Sequence, residues 1–307
     1  MGPAVRIPLQ IRHIGLIMRN ECQDALRSRR ALVVILLFMA AALLTMNGFL
    51  TILLRLENEL AETLQLPAAE QPGAVVDALW RSDRFHRMVA RAVRSEELVR
   101  DLVGMSPIAL VYAGLLFFYT PLLVALAAPV RVAEELAGGS VRYVLIRASR
   151  LSWSVGKFLG QAAVLVVALL CSGLGAWVLV RMRMAGASDW RHGAEMLFWA
   201  GRAWVYGMAF LGMVLGVAHV TRSPSRCTAI ALLTVFLVGT LAWASERYAG
   251  PGWRQMGYVI HPLLPQAHRL DLWRSSAAHA VPAAVMLLAL GTGYLLAGYA
   301  WFRRRDT

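Results

Sequence analysis

Lys157 is the only lysine in this 307-residue chain, and its surroundings decide one question of chemistry at once. A phosphate-cradling loop of the form G-x-x-x-x-G-K-[ST] needs glycine-rich backbone before the lysine and a hydroxyl after it. Phe158 follows Lys157 and Leu151 stands where the first glycine belongs, so nucleotide binding by that route is excluded. Neither G-x-S-x-G nor H-E-x-x-H occurs, which removes two common signatures of hydrolytic chemistry. His192 and Glu195 are three residues apart, and His86, His261, His268 and His279 are scattered. That is not the spacing of a ligand set, and no metal centre is expected. The polar groups with a coherent pattern lie around Lys157. They are Glu134, Glu135, the pair Gly138-Gly139, Arg147 and Arg150, with Val141, Tyr143, Val144, Leu145 and Ile146 between them. Glycines that end one helix and begin a short transverse one would make a knob projecting into the cytosol; the plainer alternative is a charged connector.

These residues occupy segment 131–157, wedged between two long apolar runs that must position it. The chain is 58% hydrophobic, too much for an ordinary soluble domain. Six stretches carry the excess, at 31–54, 107–130, 158–180, 203–220, 227–245 and 280–302. A helix needs roughly 20 apolar residues to cross about 30 Å of hydrocarbon, and strand-like alternation is absent. The expected fold is an all-α polytopic membrane protein with six transmembrane helices.

Placing both termini inside divides the basic residues almost evenly by number, but the inner segments are shorter and their arginines lie close to span ends. Arg27, Arg29, Arg30, Arg222, Arg226, Arg303, Arg304 and Arg305 are so placed, as the positive-inside rule requires. Most of the 18 acidic residues fall on the outer side. The net charge of +13 therefore reads as orientation and attraction to anionic lipid, with no nucleic-acid partner. The first apolar run is too long for a signal-peptide core and is read as a retained span. Ahead of it, residues 1–30 place Ile7, Ile11, Ile14 and Ile17 among Arg6, Arg12, Arg19, Glu21 and Arg27. That spacing predicts an amphipathic helix on the inner leaflet, against the alternative of a disordered basic tail.

The remaining segments are connectors. Residues 55–106 are expected to form an external helical cap. In it the first membrane helix continues outward along Leu53, Leu56, Leu60 and Leu64, and a second helix runs from about 74 to 103. The cap either docks an external protein or packs on itself or a second subunit. Segment 246–279, punctuated by Pro251, Gly252, Pro262 and Pro265, predicts short helices at or dipping into the outer leaflet, and 303–307 is an inner tail. Trp190, Trp199, Trp204, Trp253 and Trp273 mark outer span ends, and Trp153 and Trp301 the inner face, as interfacial anchors. Cys22, Cys171 and Cys227 are expected to be reduced and structural. Gly156 with Gly160, and Gly212 with Gly216, have the spacing that permits close helix contact. His219 and Gln161 lie in or at the edge of spans without an identifiable partner in the sequence.

Several stretches carry a family resemblance. E-E-L-A-G-G-S-V-R-Y-V-L-I-R-A-S-R, from Glu134 to Arg150, resembles the cytosolic loop of permease subunits in the type-2 family of ABC transporters. Arg19, Glu21, Leu26, Arg27, Ser28 and Arg29 are similar to that family's elbow-helix signature, and Phe302 to Asp306 to its usual last turn. His261-Pro262 with Arg269-Leu270 resembles the branch holding the nitrous-oxide-reductase maturation and gliding-motility permeases. One departure is Ala148, where the family often has proline. The resemblance implies a permease in the inner membrane of a bacterium, paired with a second copy or a homologue. It implies two separately encoded ATPases that hold the ATP and magnesium, this chain binding no cofactor of its own. Glu134, Glu135, Gly138, Gly139, Arg147 and Arg150 would then form the ATPase-coupling segment, with Arg19, Glu21 and Arg27 on the elbow helix. The expected function is ATP-driven export or envelope remodelling. The alternative is a membrane anchor that uses an ATPase to act on an external complex without transport. A multipass membrane enzyme is disfavoured, because few paired polar groups lie within spans.

Overall fold

The computed structural model describes residues 3–63, 101, 105–184, 190–221, 223–247 and 260–304. Among these, every regular element is helical. Helix α1 (Pro3–Arg27) leads into α2 (Arg29–Thr63). Then follow α3 (Pro107–Ala137), the short α4 (Val141–Leu145), α5 (Arg150–Arg183), α6 (Trp190–Val220) and α7 (Pro224–Arg247). Two 3-10 turns, His261–Leu263 and Pro265–His268, precede α8 (Arg269–Trp273) and α9 (Ala277–Arg303). Helices α2, α3, α5, α6, α7 and α9 are each long and apolar enough to cross a membrane.

Local chemistry sets several boundaries. Pro107 opens α3, where its missing N–H costs nothing. Gly138 closes it by donating its N–H to the Glu134 carbonyl, and Gly139 follows at φ +70°, a conformation that favours glycine. Ser149 caps α5 by accepting from the Ser152 N–H at 3.0 Å. At the α1–α2 joint there is no loop. Ser28 donates its N–H to the Asp24 carbonyl, and its own carbonyl accepts from Leu32.

Two boundaries depart from the sequence reading. Segment 131–157 is not a loop of that length, because α3 continues to Ala137 and α5 begins at Arg150. The charges on Arg131, Glu135 and Lys157 do not stop the helices because each is paired, Arg131 with Glu21 and Glu135 with Lys157. The fourth span is likewise longer than 203–220 and starts at Trp190. Arg202 is accommodated inside it by donating to the carbonyls of Leu272 and, at 2.9 Å, Arg274. The cap expected over 55–106 lies mostly outside the described residues; α2 itself runs on to Thr63. Asp101 is described, and its carboxylate accepts from the Ser275 N–H and hydroxyl at 3.1 and 2.7 Å.

Helix α6 is the centre of the bundle, packing along α3, α5, α9 and α7, whereas α2 is the least enclosed of the six. Its contact with α9 is made backbone to backbone. A Cβ added at Gly216 would stand 2.6 Å from the Tyr294 carbonyl oxygen, and one at Gly291 2.5 Å from that of Met208. Without a strong hydrophobic drive between helices in lipid, close approach at small residues is what holds such a pair. The end of the bundle away from α4 is sealed by rings. Phe117 lies 4.9 Å from Tyr206 and 5.6 Å from Trp273, which is 5.5 Å from Trp199.

Candidate coupling site

The residues around Lys157 meet where α1 crosses α5. Gly156 and Gly160 make the crossing possible. A Cβ at Gly156 would lie 2.7 Å from the Ile17 Cβ, and one at Gly160 2.6 Å from the Glu21 Cβ. Lys157 and Gln161 each follow one of these glycines, so they stand one turn apart beside the crossing and meet the Glu21 carboxylate. Glu21 is buried. Its Oε2 accepts from Lys157 Nζ, its Oε1 accepts from Gln161 Nε2 at 2.6 Å, and Arg131 Nε lies 3.5 Å from Oε1. Lys157 Nζ is shared. It also donates to Glu135 Oε1 on the last turns of α3, while Trp153 Nε1 donates to Glu135 Oε2 at 3.2 Å. Arg131 further reaches Asp24 Oδ2 at 3.5 Å. Three helices are thus joined by Glu21 from α1, Arg131 and Glu135 from α3, and Lys157 and Gln161 from α5. A buried charge of this kind is tolerable only when paired and hydrogen-bonded. Cys22 adjoins the group, and burial, then the Glu21 carboxylate, push its thiol pKa up.

A second set of contacts holds the other end of the connector. Arg150 Nη1 donates to the carbonyls of Arg303 at 2.8 Å and Phe302 at 3.3 Å, with the guanidinium 5.5 Å from the Phe302 ring centroid. A cation on the open carbonyls at a helix C-terminus is electrostatically favourable. Behind it, Trp153, His219 and Phe302 pack edge-on and tilted at 5.4–5.6 Å. A carbonyl can only accept, so His219 Nδ1 donates to Leu215 at 2.6 Å. In the neutral ring, Nε2 then accepts from the Ser154 hydroxyl at 2.8 Å.

Between these anchors, residues 138–149 form a short projection. Val141 is buried and faces the bundle, while Tyr143 and Ile146 are 78% and 79% exposed. Arg142, Arg147 and Glu134 are exposed beside them.

The predicted site residues therefore separate into groups. Glu134 and Arg147 lie on the open face, Glu135 and Arg150 are struts within the fold, and Gly138 and Gly139 shape the turn. On α1, Arg19 and Arg27 are exposed and Glu21 is internal. Sequence reasoning missed Arg131 and gave Lys157 and Gln161 no partner; the i, i+4 repeat of Lys157/Gln161 beside Gly156/Gly160 was the available signal. Trp153 and Trp199 are not interfacial anchors, since each is 1% exposed and packed among rings. The sole lysine lies inside a helix with its ammonium held by two carboxylates.

Six apolar helices, with an amphipathic helix lying across one of them and a braced helical projection, define a multi-pass membrane protein. The family described as ABC-2 family transporter protein matches residues 16–307, and the chain belongs to it. It is a permease subunit of an ABC transporter, in a family whose members work with an ABC ATPase subunit. Among curated proteins, none matches.

Proposed function

We propose that this chain is the transmembrane subunit of an ATP-driven exporter in a bacterial inner membrane, with both termini and the 138–149 connector in the cytosol. Two copies, or one copy and a homologue, pair with two ATPase chains that hold ATP and magnesium. The projection seats Tyr143 and Ile146 in an apolar groove of the ATPase, with Arg142, Arg147 and Glu134 meeting charges at its rim. The observation that carries this reading is the contrast within one short segment: two large apolar side chains almost fully exposed, on a connector whose two ends are held by Glu135–Lys157 and by Arg150 on the end of α9. Exposed apolar groups on a braced scaffold are the pattern of a docking surface. The exposed Arg12, Arg19 and Arg27 of α1 suit anionic headgroups of the same leaflet. ATPase closure then biases two arrangements of the spans through the connector, a population shift driven from outside the membrane. The short helices at His261–Leu263 and Arg269–Trp273 carry the residues that point to the nitrous-oxide-reductase maturation and gliding-motility branch.

The test is co-purification of the ATPase with Tyr143→Asp and Ile146→Asp chains. The reading expects loss of the ATPase while the permease stays folded. Full retention with both substitutions sinks it.

A further inference from the structure

The two carboxylates that share the Lys157 ammonium come from different helices. Glu21 belongs to α1, and Glu135 to the end of α3 that carries the connector. The two halves are unequal. Glu21 is fully enclosed and held by Lys157, Gln161 and Arg131; the Glu135 side chain is 27% exposed, held by Lys157 and Trp153. Arg131 adds an asymmetry of its own, since its Nη1 is buried with no hydrogen-bond acceptor among the described residues. We propose that Lys157 is a positioning residue that, through Glu135 on one side and Glu21 on the other, makes α1 and the connector move as one body. This rests on the coupling role proposed above and adds a specific joint to it. Without the ammonium, the connector still presents Tyr143 and Ile146, but of the ionic links between α3 and α1 only those of Arg131 remain.

The experiment has two arms. The first uses the full chain alone, with Cys22, Cys171 and Cys227 replaced by serine and spin labels at Arg12→Cys and Arg142→Cys, both exposed sites. The inference expects one narrow distance distribution, broadened by Lys157→Met and by Glu135→Gln and restored by Lys157→Arg. Glu135→Gln keeps shape and acceptor, so it serves where Lys157→Met does not fold. Equal widths in wild type and Glu135→Gln overturn the inference. The second arm reconstitutes the chain with its ATPase. Lys157→Met should capture the ATPase at wild-type stoichiometry while permease-dependent stimulation of ATP turnover falls about fivefold or more, the lower end of typical couplings between sites. Lys157→Arg should recover it. Unchanged stimulation, or loss of ATPase capture with lost stimulation, overturns the inference. Failure of the wild-type chain to capture an ATPase would instead overturn the proposed function, and the first arm would still decide this one.

Discussion

Replacing Gly216 by alanine tests whether α6 and α9 are held apart by nothing but backbone. The added Cβ would stand 2.6 Å from the Tyr294 carbonyl oxygen, against the 3.4 Å at which ordinary contact begins, so the helices must separate by about 0.8 Å at that point. Backbone on both sides cannot rotate away as a side chain would. Forcing a methyl group into a packed contact costs about 1–3 kcal/mol, set against the roughly 1 kcal/mol that alanine gains over glycine inside a helix. Gly293→Ala on α9 and Gly201→Ala on α6 are the controls, since a Cβ at either meets nothing within 4 Å. Both should keep that gain. Thermal unfolding of the detergent-solubilised chain, followed by tryptophan fluorescence, reads the difference. Gly216→Ala should melt below wild type by a few degrees, at about 2–4 °C per kcal/mol, and both controls at or above it. Gly216→Ala melting with the controls would refute a backbone-limited crossing.

Three further outcomes are expected. Glu21→Ala leaves Arg131, Lys157 and Gln161 facing one another, so it should destabilise by about 3–5 kcal/mol, while Glu21→Gln costs less because it keeps an acceptor; denaturation midpoints separate the two. Arg202→Met leaves the carbonyls of Leu272 and Arg274 without their donor, costing about 1–3 kcal/mol, and Arg202→Lys should not rescue it because the flat guanidinium lies 4.2 Å from the Phe198 ring centroid; proteolysis within 269–276 should quicken in both. Cys22 has a raised thiol pKa, so its thiolate is scarce below the raised value and maleimide labelling should keep climbing with pH beyond the point where an ordinary thiol levels off. A plateau at the ordinary value would contradict its half-buried place beside Glu21.

What could be read from the chain and what could not divide along a physical line. Spans are a property of local composition, and the six apolar runs all lie inside helices of the structure. Their ends are not local. Arg131, Lys157 and Arg202 look like stop signals in one dimension, because a lone charge in hydrocarbon is costly; in three dimensions each has acceptors supplied by other helices. The same limit hid the coupling site. Glu135 read as a charge for contact with the ATPase because its partner within the fold lies 22 residues away on α5. Glu21 read as one charge of an amphipathic helix because its partner lies 136 residues away. Trp153 followed the statistics of interfacial tryptophan until His219 and Phe302 enclosed it.

The hydrogen-bonded joint at Ser28 gives α2 the geometry of a lever. With 35 residues, α2 is about 50 Å long, and its root is welded to α1 with no slack in the chain. A tilt of only 5° at that root sweeps the distal tip through about 4–5 Å, close to one helical pitch. A small tilt at the membrane surface would thereby be magnified at the far end of α2, the least enclosed of the six helices.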